Sequence, residues 1–180
     1  MPEYQGFERH SARIHSRPDR VMQAVRESTF SDMKSLVTLL EIRRAVLRLP
    51  ADKFREWQDK RVLDAFSASG YLSDGSEHEI VLFGVWNART NRRPDVHTVQ
   101  EFADYREPGG VKIAYAFNVE EAREGWSKIT TETRVGATDD LTRRGLSRYW
   151  RFIVPGSGLL RLQWLEGIKR RAESMPNARL

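Results

Sequence analysis

The sequence predicts an α+β domain in which a curved antiparallel sheet packs against one long C-terminal helix, with two short helices after the first strand. Residues 111–120 and 128–135 alternate apolar and polar side chains, which is typical of strands with one inner and one outer face. Short turns at Gly110 and Gly125 make these strands antiparallel to their neighbours. The longest helical pattern, residues 138–172, follows them and is the only element long enough to cover the inner face.

The chain begins with a strand and two short helices. Residues 7–16 read as the first strand, and Pro18 suits the first turn of a helix that would bury Val21, Met22 and Val25. Residues 31–49 carry apolar side chains at helical spacing and predict the second helix. Residues 51–61 fit either another turn or two of helix or a loop.

A run of about five antiparallel strands follows. Turn signals lie at residues 73–76, 91–94 and 107–110. The sequence does not decide which face of the strand at 96–106 points inward. Phe102 and Tyr105 would lie on opposite faces, and both suit a buried position. The predicted strands are residues 63–71, 80–86, 96–106, 111–120 and 128–135.

The final helix carries its N-cap signal at residues 138–140 and arginines on its wet face at 144, 148 and 151. Its apolar stripe is Leu146, Tyr149 or Trp150, Ile153, Leu160, Trp164, Ile168 and Ala172. Pro155 predicts either a kinked helix or two shorter helices joined by a loop. In the kinked alternative, the small side chains of Gly156 and Ser157 leave space between helix and sheet.

Length and composition indicate one domain over residues 1–174 with a flexible tail at 175–180. No apolar run reaches the roughly 20 residues that cross a bilayer, and no secretory signal begins the chain, so we expect a cytoplasmic protein without membrane insertion. The net charge of +5 comes from basic residues interleaved with acids, so nucleic-acid binding is not expected. Monomer and homodimer are both open.

No catalytic or metal motif stands out. The chain has four histidines without ligand spacing and no cysteine, so we expect no metal and no cofactor. Asp104, Glu132 and Glu101 are the acid–base candidates. Strand alternation favours an outer position for Glu132, and the face of Asp104 is open.

Four segments resemble the START/birch-pollen-allergen (SRPBCC) superfamily, which has the helix-grip fold, and two of them look like an uncharacterised bacterial branch. They are RIHSRPDRV (13–21), FADYREP (102–108), TETRV (131–135) and YWRFIVPGSGLL (149–160). The resemblance implies a deep apolar cavity between the sheet and the terminal helix. It also implies binding of lipids, polyketides or similar molecules, or a cyclase, aromatase or dehydratase activity. It carries over no catalytic residue, because the superfamily has no universal catalytic motif.

The resulting hypothesis is a domain that binds a hydrophobic small molecule. Its alternative is a polyketide cyclase-like enzyme that uses a cavity carboxylate or tyrosine, and a third hypothesis is an interaction module for RNA or protein. A filled core is equally compatible with the aromatic pattern. The predicted cavity lining is Trp86, Phe102, Asp104, Ile113, Tyr115, Phe117, Thr131, Thr133, Tyr149, Ile153, Ser157, Leu160 and Trp164.

Overall fold

The computed structural model of the protein describes residues 4–34, 37–38 and 58–175, apart from the side chains at 152, 153 and 155. Over this part of the chain it is an α+β fold: one five-stranded sheet, a long C-terminal helix and shorter helices. The strands are β1 (Gly6–Ile14), β2 (Leu72–Gly75), β3 (Glu79–Asn87), β4 (Gly110–Arg123) and β5 (Trp126–Ala137). The helices are α1 (Pro18–Glu27), α2 (Val62–Ala68), α3 (Val99–Asp104) and α4 (Asp140–Ser174), with a 3₁₀ turn at Phe30–Asp32.

The sheet has the order β1-β5-β4-β3-β2, and every neighbouring pair is antiparallel. The face that packs on α1 and α4 is called the inner face here, and the opposite one the outer face. Tyr115 of β4 pairs with Thr133 of β5, which pairs with Glu8 of β1, so these three side chains share the inner face.

The inner face carries two apolar clusters, one towards each end of α4. Trp164, Leu165 and Ile168 of α4 pack with α1, α2 and the sheet in the larger cluster. Leu146 packs with Val111 and Val135 in the smaller one. The indole nitrogen of Trp164 also donates a hydrogen bond to Ser28 Oγ at 2.8 Å, which gives the buried ring a polar partner.

Two predicted strands are wrong. Residues 63–71 fall largely in α2, and residues 96–106 contain α3. Thr98 is the N-cap of α3: its side chain accepts a hydrogen bond from the amide of Glu101 at 3.1 Å, and the Glu101 carboxylate accepts one from the amide of His97. This Thr-x-x-Glu spacing is a helix-start signal, and the segment after it forms a short helix instead of the predicted strand.

The other elements agree with the sequence except near β2. β2 occupies Leu72–Gly75, where a turn was predicted, and Ser76 begins the turn into β3. Most of the predicted second helix and most of residues 51–61 lie outside the described residues, as does the tail after 175. Gly125 has a φ of 72° and makes the predicted turn between β4 and β5.

The C-terminal helix is one continuous element from Asp140 to Ser174. The alternative of two helices joined by a loop at Pro155 is therefore wrong. Asp139 is its N-cap, as predicted, and its carboxylate accepts hydrogen bonds from the Thr142 amide at 3.1 Å and the Thr142 hydroxyl at 2.7 Å.

Candidate functional site

A layer of polar side chains lies between the two apolar clusters of the inner face. It forms because β1, β4 and β5 each place polar residues at inner-face positions midway along the strand, below the middle of α4. We call this layer the inner polar cluster; its members are Glu8, His10, Tyr115, Thr131, Thr133 and Arg161.

Glu8 and His10 form a hydrogen-bonded pair on β1. Glu8 Oε1 and His10 Nε2 are 2.7 Å apart. The Glu8 side chain is 6% exposed and that of His10 is 23% exposed, so the carboxylate is inside and the imidazole lies between it and solvent. The backbone of α4 lies directly against this pair: a Cβ on Gly158 would be 2.8 Å from Glu8 Oε1.

Arg161 brings a guanidinium group into the same layer from α4. Its carbon Cζ lies 4.3 Å from the centre of the Tyr115 ring and 5.4 Å from that of Trp164, so aromatic faces supply much of its contact. Burial lowers the pKa of Arg161, while Tyr115 and Glu8 oppose that change. Because a free guanidinium titrates far above neutral pH, Arg161 remains a buried positive charge.

Tyr115 is the phenol of the cluster. Burial, followed by the neighbouring Tyr71, raises its pKa above the ordinary value for tyrosine. The hydroxyl is therefore neutral at physiological pH, where it can donate and accept hydrogen bonds but does not supply a phenolate.

Four buried polar atoms of the cluster have no hydrogen-bond partner. They are Glu8 Oε2, Thr131 Oγ1, Thr133 Oγ1 and Arg161 Nη1, and no other buried side-chain nitrogen or oxygen in the described part of the chain is unpaired. An unpaired buried polar group costs about 1–3 kcal/mol, so such atoms are rare in folded proteins. Here they include a pure acceptor, a pure donor and two hydroxyl groups that do either, the combination that a buried water or the polar group of a ligand requires.

Part of the predicted lining faces this layer. Trp86 of β3 lies on the inner face, because its partner across the sheet is Val111, an inner-face residue of β4. Its side chain is 38% exposed. The inner face is therefore open to solvent at the Trp86 end of β3, whereas Ile80 and Leu82 further along the strand are buried. The predicted residues found on the inner face or on the sheet-facing side of α4 are Trp86, Ile113, Tyr115, Phe117, Thr131, Thr133, Ser157 and Trp164.

Four other lining residues do not face the inner layer. Phe102 and Asp104 lie on α3, where Phe102 packs on Phe83 of the outer face and Asp104 is exposed and accepts a hydrogen bond from Gln100. Tyr149 is 59% exposed and Leu160 is 42% exposed. The buried stripe of α4 runs one position later, through Trp150 and Arg161, and the side chain of Ile153 lies outside the described residues.

The other two acid–base candidates are occupied elsewhere. Glu132 lies on the outer face, as the alternation predicted, with ion pairs to Arg9 at 2.7 Å and Arg134 at 2.9 Å. Glu101 belongs to the start of α3.

The glycines at 156 and 158 do not open a gap between α4 and the sheet. Gly158 allows α4 to approach Glu8 and His10 closely, whereas Gly156 faces solvent, and a Cβ added to it would meet nothing within 4 Å. The predicted gap at this point of the helix is therefore wrong, because the missing side chain brings the helix and β1 together.

Sequence reasoning missed Glu8, His10 and Arg161 as site residues. The signal was present for the first two: Ala12 and Ile14 point inward, so alternation places His10 and Glu8 on the same face. Arg161 follows Ser157 by four residues and precedes Trp164 by three, which places it on the buried stripe. Arginine is usually exposed in proteins, so the residue type argues against a buried position even within that stripe.

The described residues contain neither a candidate metal site nor a candidate membrane-spanning helix. No group of three or more His, Asp or Glu side chains there has a geometry that could hold a metal ion. Within the same ranges, none of the helices combines the length and the apolar character needed to cross a bilayer.

The sequence matches no protein-family model and no functionally curated protein. A crystal structure of a hypothetical protein, jhp0584 from Helicobacter pylori, is similar over 95% of this chain and 90% of its own, with a TM-score of 0.44 and 10% sequence identity. A TM-score of that size does not establish a common fold.

Proposed function

We propose that this protein binds a small apolar molecule that carries one polar group, held between the inner face of the sheet and α4. The observation that supports the proposal is the set of four unpaired buried polar atoms in the inner polar cluster. The resemblance to the START/SRPBCC superfamily implies a ligand in the same place, and membership of that superfamily is part of the proposal.

The residues suggest how such a ligand is held. Arg161 Nη1 donates to an oxygen of the ligand, and Glu8 Oε2 accepts from a hydroxyl or amine hydrogen. The rings of Tyr115, Phe117 and Trp164 surround the guanidinium and supply the apolar wall. The ligand enters beside the half-exposed ring of Trp86.

The test is mass spectrometry of the freshly purified protein under native and denaturing conditions. We expect the wild type to carry an organic molecule that denaturation releases. Arg161→Met should lose it, because the donor and the charge are removed while the length of the side chain is kept. Arg148→Met, which changes an exposed arginine of the same helix, is the matched control and should keep it. A wild type without any organic mass, or Arg161→Met with full occupancy, contradicts the proposal.

The Glu8–His10 hydrogen bond favours proton-transfer chemistry as a second candidate function, because a carboxylate that orients a histidine is a common acid–base unit. Under this alternative the bound molecule exchanges a carbon-bound hydrogen with solvent. Incubation in deuterium oxide should then add mass to the ligand released from the wild type but not to that from His10→Gln. Equal labelling in both proteins removes the enzymatic alternative and leaves binding.

A further inference from the structure

A cavity on the outer face is separate from the inner polar cluster. It has a volume of about 690 Å³ and lies between α3 and the β3–β5 part of the sheet. Small-molecule sites in proteins commonly occupy about 300–1,000 Å³. We call it the outer groove; the apolar residues that matter here are Val81, Phe83, Val99, Phe102 and Ala114.

The groove exists because two small residues lie beside a short helix. Lys112 of β4 pairs across the sheet with Gly136 of β5, which has no side chain to fill the adjacent space. Ala114, the next outer-face residue of β4, is also small. α3 has only six residues, so Phe102 covers Phe83 while Val99 stays 51% exposed at the rim.

The charges around the groove are mainly positive. Lys112, Arg106 and Arg143 line it; Asp74 is the acidic residue of the lining, and Asp104 lies near Lys112. Lys112 is 9% exposed, and its Nζ donates a hydrogen bond of 2.8 Å to a neutral acceptor, the carbonyl oxygen of Ala103. The same Nζ lies 5.5 Å from the centre of the Phe102 ring, so the ammonium group and an apolar surface face the same space.

We propose that the outer groove binds a small organic anion with a flat apolar body, whose acidic group pairs with Lys112 and whose body packs on Phe83 and Phe102. The charge of the groove selects the anionic group, and its aromatic floor selects the shape of the body. This site is independent of the function proposed for the inner face, so either can hold without the other.

The electrostatics of Lys112 agree with this assignment. Burial, and then the positive charge of Arg106, lower the pKa of Lys112 to about 8, while Asp104 opposes the change. A bound anion would favour the protonated amine again, so affinity should fall as the pH rises through about 8. The other charged groups around Lys112 are Asp74 of β2, Asp104 and Arg106 at the end of α3 and Arg143 of α4, and the phenol of Tyr105 also lines the groove.

The experiment compares two probes of the same shape, 2-naphthoate and its uncharged amide, by calorimetric titration. The wild type should bind the carboxylate about tenfold or more tightly than the amide near pH 7, and this preference should shrink by about pH 9.5, where Lys112 is mostly neutral. Lys112→Met should bind both probes equally. Lys128→Met is the matched control, because Lys128 lies on the same face in an ion pair with Glu120, and it should behave as the wild type.

A second variant keeps the test decisive if Lys112→Met does not fold. Ala114→Leu fills the groove without changing its charge, and it should weaken both probes about tenfold or more. Backbone amide shifts on addition of naphthoate should be largest at residues 102, 114 and 136. No binding of naphthoate by the wild type, no preference for it over the amide, or the same preference in Lys112→Met would overturn the proposal.

Discussion

At the scale of single residues, the inner face combines buried polar groups that have hydrogen-bond partners with others that have none. Ser28 is fully buried, donates to the carbonyl oxygen of Val25 at 2.9 Å and accepts from the indole of Trp164. Thr131 and Thr133 are almost as deeply buried but have unpaired hydroxyl oxygens. The contrast separates residues whose hydrogen bonds stabilise the fold from residues whose unpaired hydroxyl groups cost stability.

Thr131→Val should stabilise the ligand-free protein by about 1 kcal/mol, because valine has the shape of threonine without the unpaired hydroxyl. Equilibrium denaturation in urea measures the change. Thr130→Val, on the outer face of the same strand, is the control for strand propensity. A loss of stability specific to Thr131→Val would mean that the hydroxyl is already hydrogen-bonded.

Ser28→Ala should have the opposite effect and destabilise the protein by about 1–3 kcal/mol, because it leaves the buried indole nitrogen of Trp164 without an acceptor. The same denaturation experiment tests it, with the exposed Ser11→Ala as the control. Two variants of equal stability would show that Trp164 finds another partner.

At the scale of elements, α4 depends on how it begins and on where it approaches the sheet. Asp139 accepts hydrogen bonds from the first turn of α4 and from the amide of Gly109 at 2.6 Å, so one carboxylate joins the helix start to the loop before β4. Gly158 is the point of close approach to β1. Both features position the buried side of α4, including Arg161, over the polar layer.

Asp139→Asn should lower the melting temperature at neutral pH, and the difference from the wild type should shrink as the pH falls below about 4. Hydrogen bonds from Gly109 and Thr142 hold the pKa of Asp139 below its ordinary value of 3.8. A carboxyl whose pKa is lower in the folded state stabilises the protein above the unfolded pKa, and that stabilisation disappears as acid protonates it. Melting curves from about pH 7 to about pH 2 check it; a difference that does not depend on pH would contradict this account.

The glycines of α4 should respond to alanine in opposite directions. Gly145→Ala and Gly156→Ala should each stabilise by about 0.5–1 kcal/mol, since a Cβ meets nothing within 4 Å and alanine favours helix. Gly158→Ala should destabilise by about 1–3 kcal/mol, because its Cβ would press on Glu8. Thermal denaturation ranks the three, and NMR signals of the His10 ring should shift only for Gly158→Ala. Stabilisation by all three variants would show that α4 does not lie this close to β1.

At the scale of the whole molecule, the two ends of α4 are held unequally. Trp164, Leu165, Ile168 and Ala172 are 0–3% exposed in the large apolar cluster, whereas the described side chains of the N-terminal half contribute Leu146 at 8% to the small one and leave Leu141 and Tyr149 exposed. The C-terminal half therefore belongs to the most stable part of the fold, and we expect the N-terminal half to open more readily.

Hydrogen exchange should reveal this difference. Amides of residues 161–172 should exchange by global unfolding, at least about tenfold more slowly than those of residues 143–150. Mass spectrometry of peptic fragments measures both segments in one sample. Uniform protection along α4 would contradict a mobile N-terminal half.

Elements whose pattern is local could be predicted from the residues alone. Strict alternation identified β4 and β5, glycine identified their turn, and the cap at Asp139 with a long apolar stripe identified α4. These signals act within a few residues, so they can be read without knowing the partners. The strand predicted at 96–106 is wrong, because the cap at Thr98 begins a helix within that stretch.

The candidate site could not be predicted in this way, because its residues come together through long-range packing. Glu8 and Arg161 lie far apart in the sequence, yet both are buried and close enough for their charges to interact, and neither residue type predicts a buried position. The outer groove likewise depends on the pairing of Lys112 of β4 with Gly136 of the neighbouring strand β5. Register and helix placement bring these groups together, and both are set by the packing of the whole sheet rather than by any short stretch of residues.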